Sequence, residues 1–330
     1  MKTFFKIVAI AVLAVVAIAA TGVSYLALRK PNQRPASAEK IEPTPERLAR
    51  GEYLVNHVTI CLDCHSERTT AYGFPIKPGG EGAKGFIWNE DAHFPGVLAA
   101  SNITPDAATG LGSWTDGEIL RAMREGVDRE GNALFPIMPY GHYRHLSDED
   151  AKSIVAYLRT LKPLRYETPK KALDMPLPLV EKFEPKPLET AVAAPDRSDT
   201  LAYGKYLVEI AACAECHTPK TDKGQSIPGM ELAGGFEMHF PGTRVVTTNI
   251  TPHPTTWMGT ATKEEFIGRF KAFANVNAAN APQAAKGRNT LMPWLTYSGM
   301  TEEDLGAIYA YLKTVKPVEH KVNPFPDAAP

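Results

Sequence analysis

The sequence predicts a mainly α-helical protein in which two tandem copies of one domain follow a single N-terminal transmembrane helix. Three observations lead to this fold class. Short sequence blocks recur in the same order about halfway along the chain, apolar residues repeat at helical spacing near the ends of each copy, and the chain begins with a long uncharged apolar stretch. A chain of 330 residues is long enough for two domains of ordinary size.

The internal repeat is clearest in short motifs. "GEYLV" at Gly51 recurs as "GKYLV" at Gly204, an offset of 153 residues. The motifs CxxCH, HFPG, NITP and Met-Pro-aromatic occur in both copies in the same order and at nearly the same offset. Ordered recurrence of this kind indicates a duplicated domain. We place the two copies at residues 46–163 and 197–318.

Each copy is predicted to begin and end with a helix. In copy one the first helix covers about Pro45 to Val58. The last helices are expected to start after the N-caps Ser147 and Thr301, with acidic residues in the first turn, and to end before a proline. Their apolar stripes are Ile154, Val155, Leu158 and Leu161 in copy one and Ile308, Tyr309, Leu312 and Val315 in copy two. We expect these stripes to pack the last helix of each copy on its first helix.

The N-terminal segment, residues 1–30, contains 22 consecutive uncharged residues from Ile7 to Leu28, flanked by basic residues at both ends. As a helix this stretch is about 33 Å long, which is enough to cross a bilayer. A cleaved signal peptide with its processing site at residues 17–19 is the alternative. Because the apolar character continues beyond that site, we expect a retained membrane anchor.

The remaining segments read as connectors. Residues 31–45 separate the predicted anchor from copy one, the proline-rich residues 164–196 join the two copies, and residues 319–330 form a tail. The formal net charge is −1, and no basic run occurs outside the N-terminus. This charge pattern argues against nucleic acid as a partner.

All four cysteines of the chain belong to two CxxCH motifs, "CLDCH" and "CAECH". Such a motif supplies two thiols for the vinyl groups of a c-type haem and an imidazole for its iron. We therefore expect two covalently bound haem c groups, held by Cys61, Cys64 and His65 and by Cys213, Cys216 and His217. A thioredoxin-like dithiol and a split zinc site are the alternatives, although zinc-binding CxxC pairs are usually about 15–20 residues apart.

Copy one contains "SNITPDAATGLGSWTDGEILRAMREG", "LFPIMPY" and "LSDEDAKSIVAYLRTLKP". In these motifs the chain resembles the class I-like haem domains in cytochrome c subunits of membrane-bound alcohol, aldehyde and gluconate dehydrogenases. The resemblance covers nearly all of copy one after the anchor and is looser in copy two. Those family members usually carry three haems, whereas this chain has two CxxCH motifs and its own apparent anchor.

The resemblance implies that the methionines of the Met-Pro-aromatic motifs, Met138 and Met292, are the distal iron ligands. The repeat supports this assignment, because Met123 and Met300 have no counterparts in the other copy. The histidines of the HFPG motifs, His93 and His239, are the rival ligands, and packing near a haem edge or a hydrogen bond to a propionate is their other expected role. His142 and His145 are expected at the surface. Trp114 is expected either to pack on a porphyrin or to lie in the core.

These assignments predict a membrane-anchored dihaem electron carrier without catalytic side chains. Haem attachment occurs outside the cytoplasmic membrane, so the haem domains are expected on the periplasmic side of a bacterial inner membrane. Expected donors are a periplasmic dehydrogenase or a quinol-oxidising complex, and expected acceptors are an oxidase or a soluble cytochrome. The alternatives are a dihaem peroxidase, a thiosulfate-type dihaem dehydrogenase, and a redox or gas sensor.

Overall fold

The computed structural model of the chain describes residues 1–222, 224–240 and 243–327. It is mainly helical, as predicted. The helices are α1 (Lys2–Leu28), α2 (Pro45–His57), α3 (Cys61–His65), α4 (Asp116–Glu125), α5 (Tyr140–Tyr143), α6 (Asp148–Leu158), α7 (Leu177–Val180), α8 (Thr200–Ile210), α9 (Cys213–His217), α10 (Trp257–Thr260), α11 (Lys263–Lys271), α12 (Trp294–Tyr297) and α13 (Glu302–Leu312). The strands are β1 (Ile87–Trp88), β2 (Gly96–Ala99), β3 (Ala172–Leu173), β4 (Glu237–Phe240) and β5 (Thr243–Val246). Pro241 and Gly242 of the second HFPG motif and the last three residues of the predicted tail lie outside the described residues.

The first and last helices of each copy pack on each other, as their apolar stripes predict. α2 packs on α6 in copy one, and α8 packs on α13 in copy two. The approach is closest at Gly51 and Gly204, where an added Cβ would lie 2.0 Å from the carbonyl oxygens of Ser153 and Ala307, respectively. Glycine at this position therefore lets two helix backbones come into contact.

The predicted helix starts are confirmed, and the ends differ slightly. The Ser147 hydroxyl accepts a hydrogen bond from the amide of Asp150, and Thr301 caps α13 in the same way. α6 and α13 end at Leu158 and Leu312, several residues before the prolines that were expected to end them. The chain continues there in tight turns, so that Leu161 and Val315 still pack against the core.

The two predicted connectors both pack on copy one. In residues 31–45, the backbone amide of Ile41 donates to a carboxylate oxygen of Asp116, and Arg34 forms an ion pair with the buried Glu125. In residues 164–196, β3 extends the small antiparallel sheet in the order β1-β2-β3. The segments that composition identifies as linkers are therefore held against copy one by hydrogen bonds, backbone pairing and ion pairs.

The interface between the copies is built from exchanged, equivalent contacts. The Tyr53 hydroxyl of copy one donates to Asp304 of copy two at 2.7 Å, and the Tyr206 hydroxyl of copy two donates to Asp150 of copy one at 2.6 Å. The two tyrosines occupy matched positions of the repeat, as do the two aspartates. Reciprocal contacts of this kind are the mark of an isologous interface, in which two units are related by an approximate twofold axis.

Copy two has extra residues before Met292, and these residues contact copy one. The amide of Gly73 donates to the side-chain oxygen of Asn289 at 2.8 Å, and the Asn289 side chain donates back to the carbonyl of Ala71 at 3.2 Å. The amide of Tyr72 also donates to the carbonyl of Pro282 at 2.9 Å. The insertion therefore enlarges the interface between the copies.

Helix α1 is long and apolar enough to cross a membrane, and its side chains are not buried by the rest of the described protein. Its last turn contacts α7 and the turn that follows it. Lys182 donates to the carbonyls of Leu26 and Ala27, and the Arg29 guanidinium lies 4.6 Å from the centre of the Phe183 ring. The segment joining the two copies thus meets the end of α1.

We expect Gly51→Ala to lower the free energy of unfolding by about 1–3 kcal/mol, because the new methyl group overlaps the Ser153 carbonyl and must push α2 away from α6. Gly204→Ala should have the same effect between α8 and α13. Chemical denaturation of the full-length protein in detergent measures the loss.

The matched control is Gly268→Ala in α11, where nothing lies within 4 Å of the added Cβ. Alanine is the better helix former by roughly 1 kcal/mol, so this variant should be slightly stabilised. Equal losses of stability in Gly51→Ala and Gly268→Ala would contradict the close-approach explanation.

Candidate haem sites

Each CxxCH motif forms a short helix after a residue in the left-handed region. α3 follows Ile60, whose φ is 26°, and α9 follows Ala212, whose φ is 52°. A positive φ is unfavourable for residues with a Cβ and is found mostly where the surrounding structure enforces it. The same strained entry in both copies points both attachment helices inward. None of the four cysteines forms a disulfide bond.

The histidine of each motif is oriented by a backbone carbonyl. The Nδ1 of His65 lies 2.6 Å from the oxygen of Ser101, and the Nδ1 of His217 lies 2.7 Å from the oxygen of Thr248. Because a carbonyl only accepts, Nδ1 carries the proton and Nε2 keeps its lone pair for a metal. Burial lowers the pKa of both imidazoles, although the carbonyl bond acts in the opposite direction. Both rings are therefore held neutral in the tautomer that an iron ligand requires.

The NITP motif holds these carbonyls in place. Asn102 directly follows Ser101 and is 2% exposed. Both the nitrogen and the oxygen of its side-chain amide form hydrogen bonds. Its amide group donates to the carbonyl of Leu164 at 2.7 Å, and its oxygen accepts from the amide and hydroxyl of Thr104. Asn249 makes the matching bonds in copy two. In both copies the loop that carries the NITP motif thus also carries the acceptor for the haem-motif histidine.

Two tyrosines that sequence analysis missed connect the methionine motifs to the attachment helices. The Tyr143 hydroxyl donates to the carbonyl of Thr59 at 2.6 Å, and the Tyr297 hydroxyl donates to the carbonyl of Ala211 at 2.8 Å. Each acceptor lies two residues before the first cysteine of its motif. Both tyrosines stand five residues after the methionine of their copy, and this recurrence in the repeat is the signal that could have identified them.

The two methionines lie in matched backbone turns. The amides of Tyr140 and Trp294 each donate to the carbonyl of the methionine two residues earlier, at 2.7 Å in both copies. Met138 and Met292 are both half-buried and pack against the hydrophobic core. The turn thus presents the two thioethers in equivalent settings.

A cavity of 2130 Å³ opens between the two copies. Cys64 of copy one contributes to its wall, together with four candidate haem-binding residues of copy two: Cys213, Cys216, His217 and Met292. Ile137 and Pro139, which flank Met138, contribute as well. Small-molecule sites usually occupy roughly 300–1,000 Å³, so this volume exceeds what one ligand needs. Cys61, His65 and Met138 of copy one do not line this cavity, so it fits a haem at the second motif, where both thiols, the oriented imidazole and the methionine face one large space.

The histidines of the two HFPG motifs stack on each other in the cavity wall. The rings of His93 and His239 have centroids 4.1 Å apart and are tilted by 16°. His239 Nε2 also lies 2.7 Å from a carboxylate oxygen of Glu237. This arrangement is a packing contact between the two copies.

Three further side chains have positions that can be compared with what the sequence predicts. His145 is exposed, as expected. His142 is not a simple surface residue, because its ring is only 19% exposed and Nε2 lies 3.4 Å from Glu215. The expectation was wrong because Glu215, the partner of His142, belongs to copy two. The residue of copy two that matches His142 in the repeat is Thr296. Trp114 packs against the core cluster, which favours the core interpretation.

The two alternatives to haem attachment fit the geometry less well. A redox dithiol depends on a thiol with a lowered pKa. Burial instead raises the pKa of Cys61 and Cys216 to about 11 and that of Cys64 and Cys213 to about 12. Among residues 1–222, 224–240 and 243–327, no three or more His, Cys, Asp or Glu side chains are grouped so that they could hold a metal ion.

Comparison with known proteins agrees with this geometry. The sequence model of the cytochrome c family matches residues 201–316. A diheme cytochrome c-type protein of Cereibacter sphaeroides is 31% identical over 232 residues, which cover 68% of this chain and 73% of that protein. The fructose dehydrogenase cytochrome subunit of Gluconobacter japonicus is 28% identical over 297 residues, or 84% of this chain. The gluconate 2-dehydrogenase cytochrome c subunit of Pantoea cypripedii is 34% identical over 183 residues, or 52% of this chain.

The chain is shorter than the dehydrogenase subunits that it matches. The aligned region spans 55% of the fructose dehydrogenase subunit and 38% of the gluconate 2-dehydrogenase subunit. The resemblance to dehydrogenase cytochrome c subunits that the sequence motifs indicate is confirmed by these matches.

We expect Tyr143→Phe to lower the free energy of unfolding by about 1–3 kcal/mol, because the buried carbonyl of Thr59 loses its hydrogen-bond donor. Tyr297→Phe should do the same at Ala211. Denaturant titration measures the loss. Tyr25→Phe on the exposed surface of α1, where the tyrosine is 63% exposed, is the control. A loss no larger than that of the control would show that the tyrosine bond contributes nothing to stability.

Proposed function

The chain belongs to the cytochrome c family, and from this premise we propose that it is a membrane-anchored dihaem electron carrier. The observation that supports this most strongly is the equivalence of the two sites. Each has a buried imidazole whose Nδ1 is held by a backbone carbonyl at 2.6–2.7 Å, which leaves Nε2 for an iron.

In the proposal both copies are cytochrome c domains, at residues 46–163 and 197–318. Cys61 and Cys64, and Cys213 and Cys216, would attach one haem each through thioether bonds. His65 and His217 would bind the irons on the proximal side, and Met138 and Met292 on the distal side. A bound haem supplies one-electron chemistry at its iron, and methionine ligation favours the reduced state relative to a second histidine.

The equal ligand sets favour electron transfer over catalysis. A peroxidase needs one iron with an open coordination position, and therefore two unlike haems. In this chain the two copies have matched candidate ligands, matched carbonyl acceptors and matched tyrosine bonds. The role of the side chains is to hold each imidazole in one tautomer, to exclude water and to keep the sixth position filled.

The relatives suggest the class of partner. Several are named as cytochrome subunits of fructose, gluconate and alcohol dehydrogenases. We propose that a periplasmic dehydrogenase or a quinol-oxidising complex donates electrons to this chain. An oxidase or a soluble cytochrome would accept them. Cys64 of the first motif lines the same cavity as Cys213, Cys216, His217 and Met292, and this proximity would suit stepwise transfer from one haem to the other.

The membrane attachment would be made by α1 as a retained anchor, with the haem domains on the periplasmic side of the bacterial inner membrane. Support comes from the end of the helix, where Lys182 binds the last carbonyls and Arg29 packs on Phe183. These contacts fasten α1 to the segment between the copies. A signal peptide that is removed needs no such contacts.

We expect two covalently bound haems per chain. Haem staining should persist on a denaturing gel, and a pyridine haemochrome assay should give two haem c groups per polypeptide. Replacing Cys61 and Cys64 by alanine should remove one haem, and replacing Cys213 and Cys216 should remove the other. Release of all haem by denaturant would show that the cysteines do not attach it.

We expect Met138→Ala to remove half of the weak sulfur-to-iron charge-transfer band of the oxidised protein, and Met292→Ala to remove the other half. Each variant opens one iron, which should then bind carbon monoxide when reduced, whereas the wild-type protein should bind it poorly.

Met300→Leu is the matched control, because Met300 is a methionine in the cavity wall without a counterpart in copy one. It should keep the full band. The ligand assignment is wrong if the wild-type protein already turns over peroxide and His93→Ala or His239→Ala opens an iron. The dihaem peroxidase would then be the better proposal.

A further inference from the structure

The attachment helix of copy one contains a buried carboxylate that is bound by copy two. Asp63 stands between the two cysteines of the first motif and is 7% exposed. One of its oxygens accepts from Arg68 at 2.8 Å, within the same copy. Its other oxygen accepts from the hydroxyl of Thr296, in α12 of copy two.

The attachment helix of copy two has the mirror arrangement. Glu215 stands in the matching position between Cys213 and Cys216. It forms an ion pair with Lys220 in its own copy and lies 3.4 Å from Nε2 of His142 in α5 of copy one. The side chain of Glu215 is 35% exposed, whereas that of Asp63 is 7% exposed.

Thr296 and His142 are matched residues of the repeat, and each stands four positions after the candidate distal methionine of its own copy. Each contact therefore runs from the distal segment of one copy to the proximal helix of the other. Because the contacts are exchanged in both directions, they follow the same approximate twofold relation as the tyrosine–aspartate bonds at the interface.

We propose that Thr296 and His142 are crossed positioning residues that tune the haem of the opposite copy. This inference rests on the proposed function, since it assumes haem at both CxxCH motifs. Thr296 would act on the first haem through Asp63, and His142 on the second haem through Glu215. A hydrogen bond to a carboxylate partly compensates its negative charge, and an uncompensated negative charge near an iron stabilises the oxidised state.

The test is a spectroelectrochemical redox titration of the full-length dihaem protein. Thr296→Val keeps the shape of the side chain but removes the hydroxyl. It should lower the midpoint potential of the first haem, although Thr296 belongs to the other copy, and should change that of the second haem less. Met138→Ala and Met292→Ala, each of which alters one haem, identify the two transitions.

Two variants separate hydrogen bonding from a general structural effect. Thr296→Ser keeps a hydroxyl and should keep the wild-type potential of the first haem. Ser298→Ala removes a hydroxyl from the same region of copy two, where it bonds the carbonyl of Leu295 at 2.8 Å, and should leave the first haem unchanged.

The equivalent experiment with His142 and the second haem tests the inference even if the Thr296→Val variant does not fold. His142→Leu should lower the potential of the second haem, and His142→Gln, which still has a donor, should restore it. The inference is overturned if the substitutions change only the midpoint potential of the haem in their own copy, or if neither potential changes. It is also overturned if Thr296→Ser lowers the potential of the first haem as Thr296→Val does. Failure of the proposed function would be visible earlier, as a wild-type protein without two covalently bound haems.

Discussion

The hydrogen bond between the Nδ1–H of each haem-motif histidine and a backbone carbonyl is the interaction on which the rest of the site depends. It selects the tautomer in which Nε2 keeps its lone pair for a metal. The carbonyl must be fixed for this to work. Asn102 and Asn249 fix it by binding the backbone on both sides, and the tyrosine bonds at Thr59 and Ala211 fix the opposite end of the attachment helix.

This local frame is assembled from elements far apart in sequence. The acceptor for His65 lies 36 residues later, and the donor to the Thr59 carbonyl lies 84 residues later. Both contacts are therefore properties of the tertiary structure of the copy. In each copy the first and last helices approach most closely at Gly51 and Gly204.

The two copies are not structurally independent of each other. Tyrosines, aspartates and the acids of the CxxCH motifs are all satisfied across the interface, in equivalent pairs. Asp63 is buried, and a buried carboxylate without donors is costly, so the attachment helix of copy one depends on copy two for part of its stability. In the proposed dihaem carrier, such an interface would hold the two haem sites in one relative position.

The sequence by itself determined the helical class, the repeat, the N-caps at Ser147 and Thr301, and the candidate ligands, because spacing and residue chemistry are local properties. It could not determine which residues meet across the interface. His142 looks like a surface residue until copy two supplies Glu215, and the Thr59 carbonyl has no visible partner until Tyr143 folds back onto it. Only the tertiary structure decided these pairings, because a hydrogen bond is defined by distance in space and the chain brings its partners together only by folding.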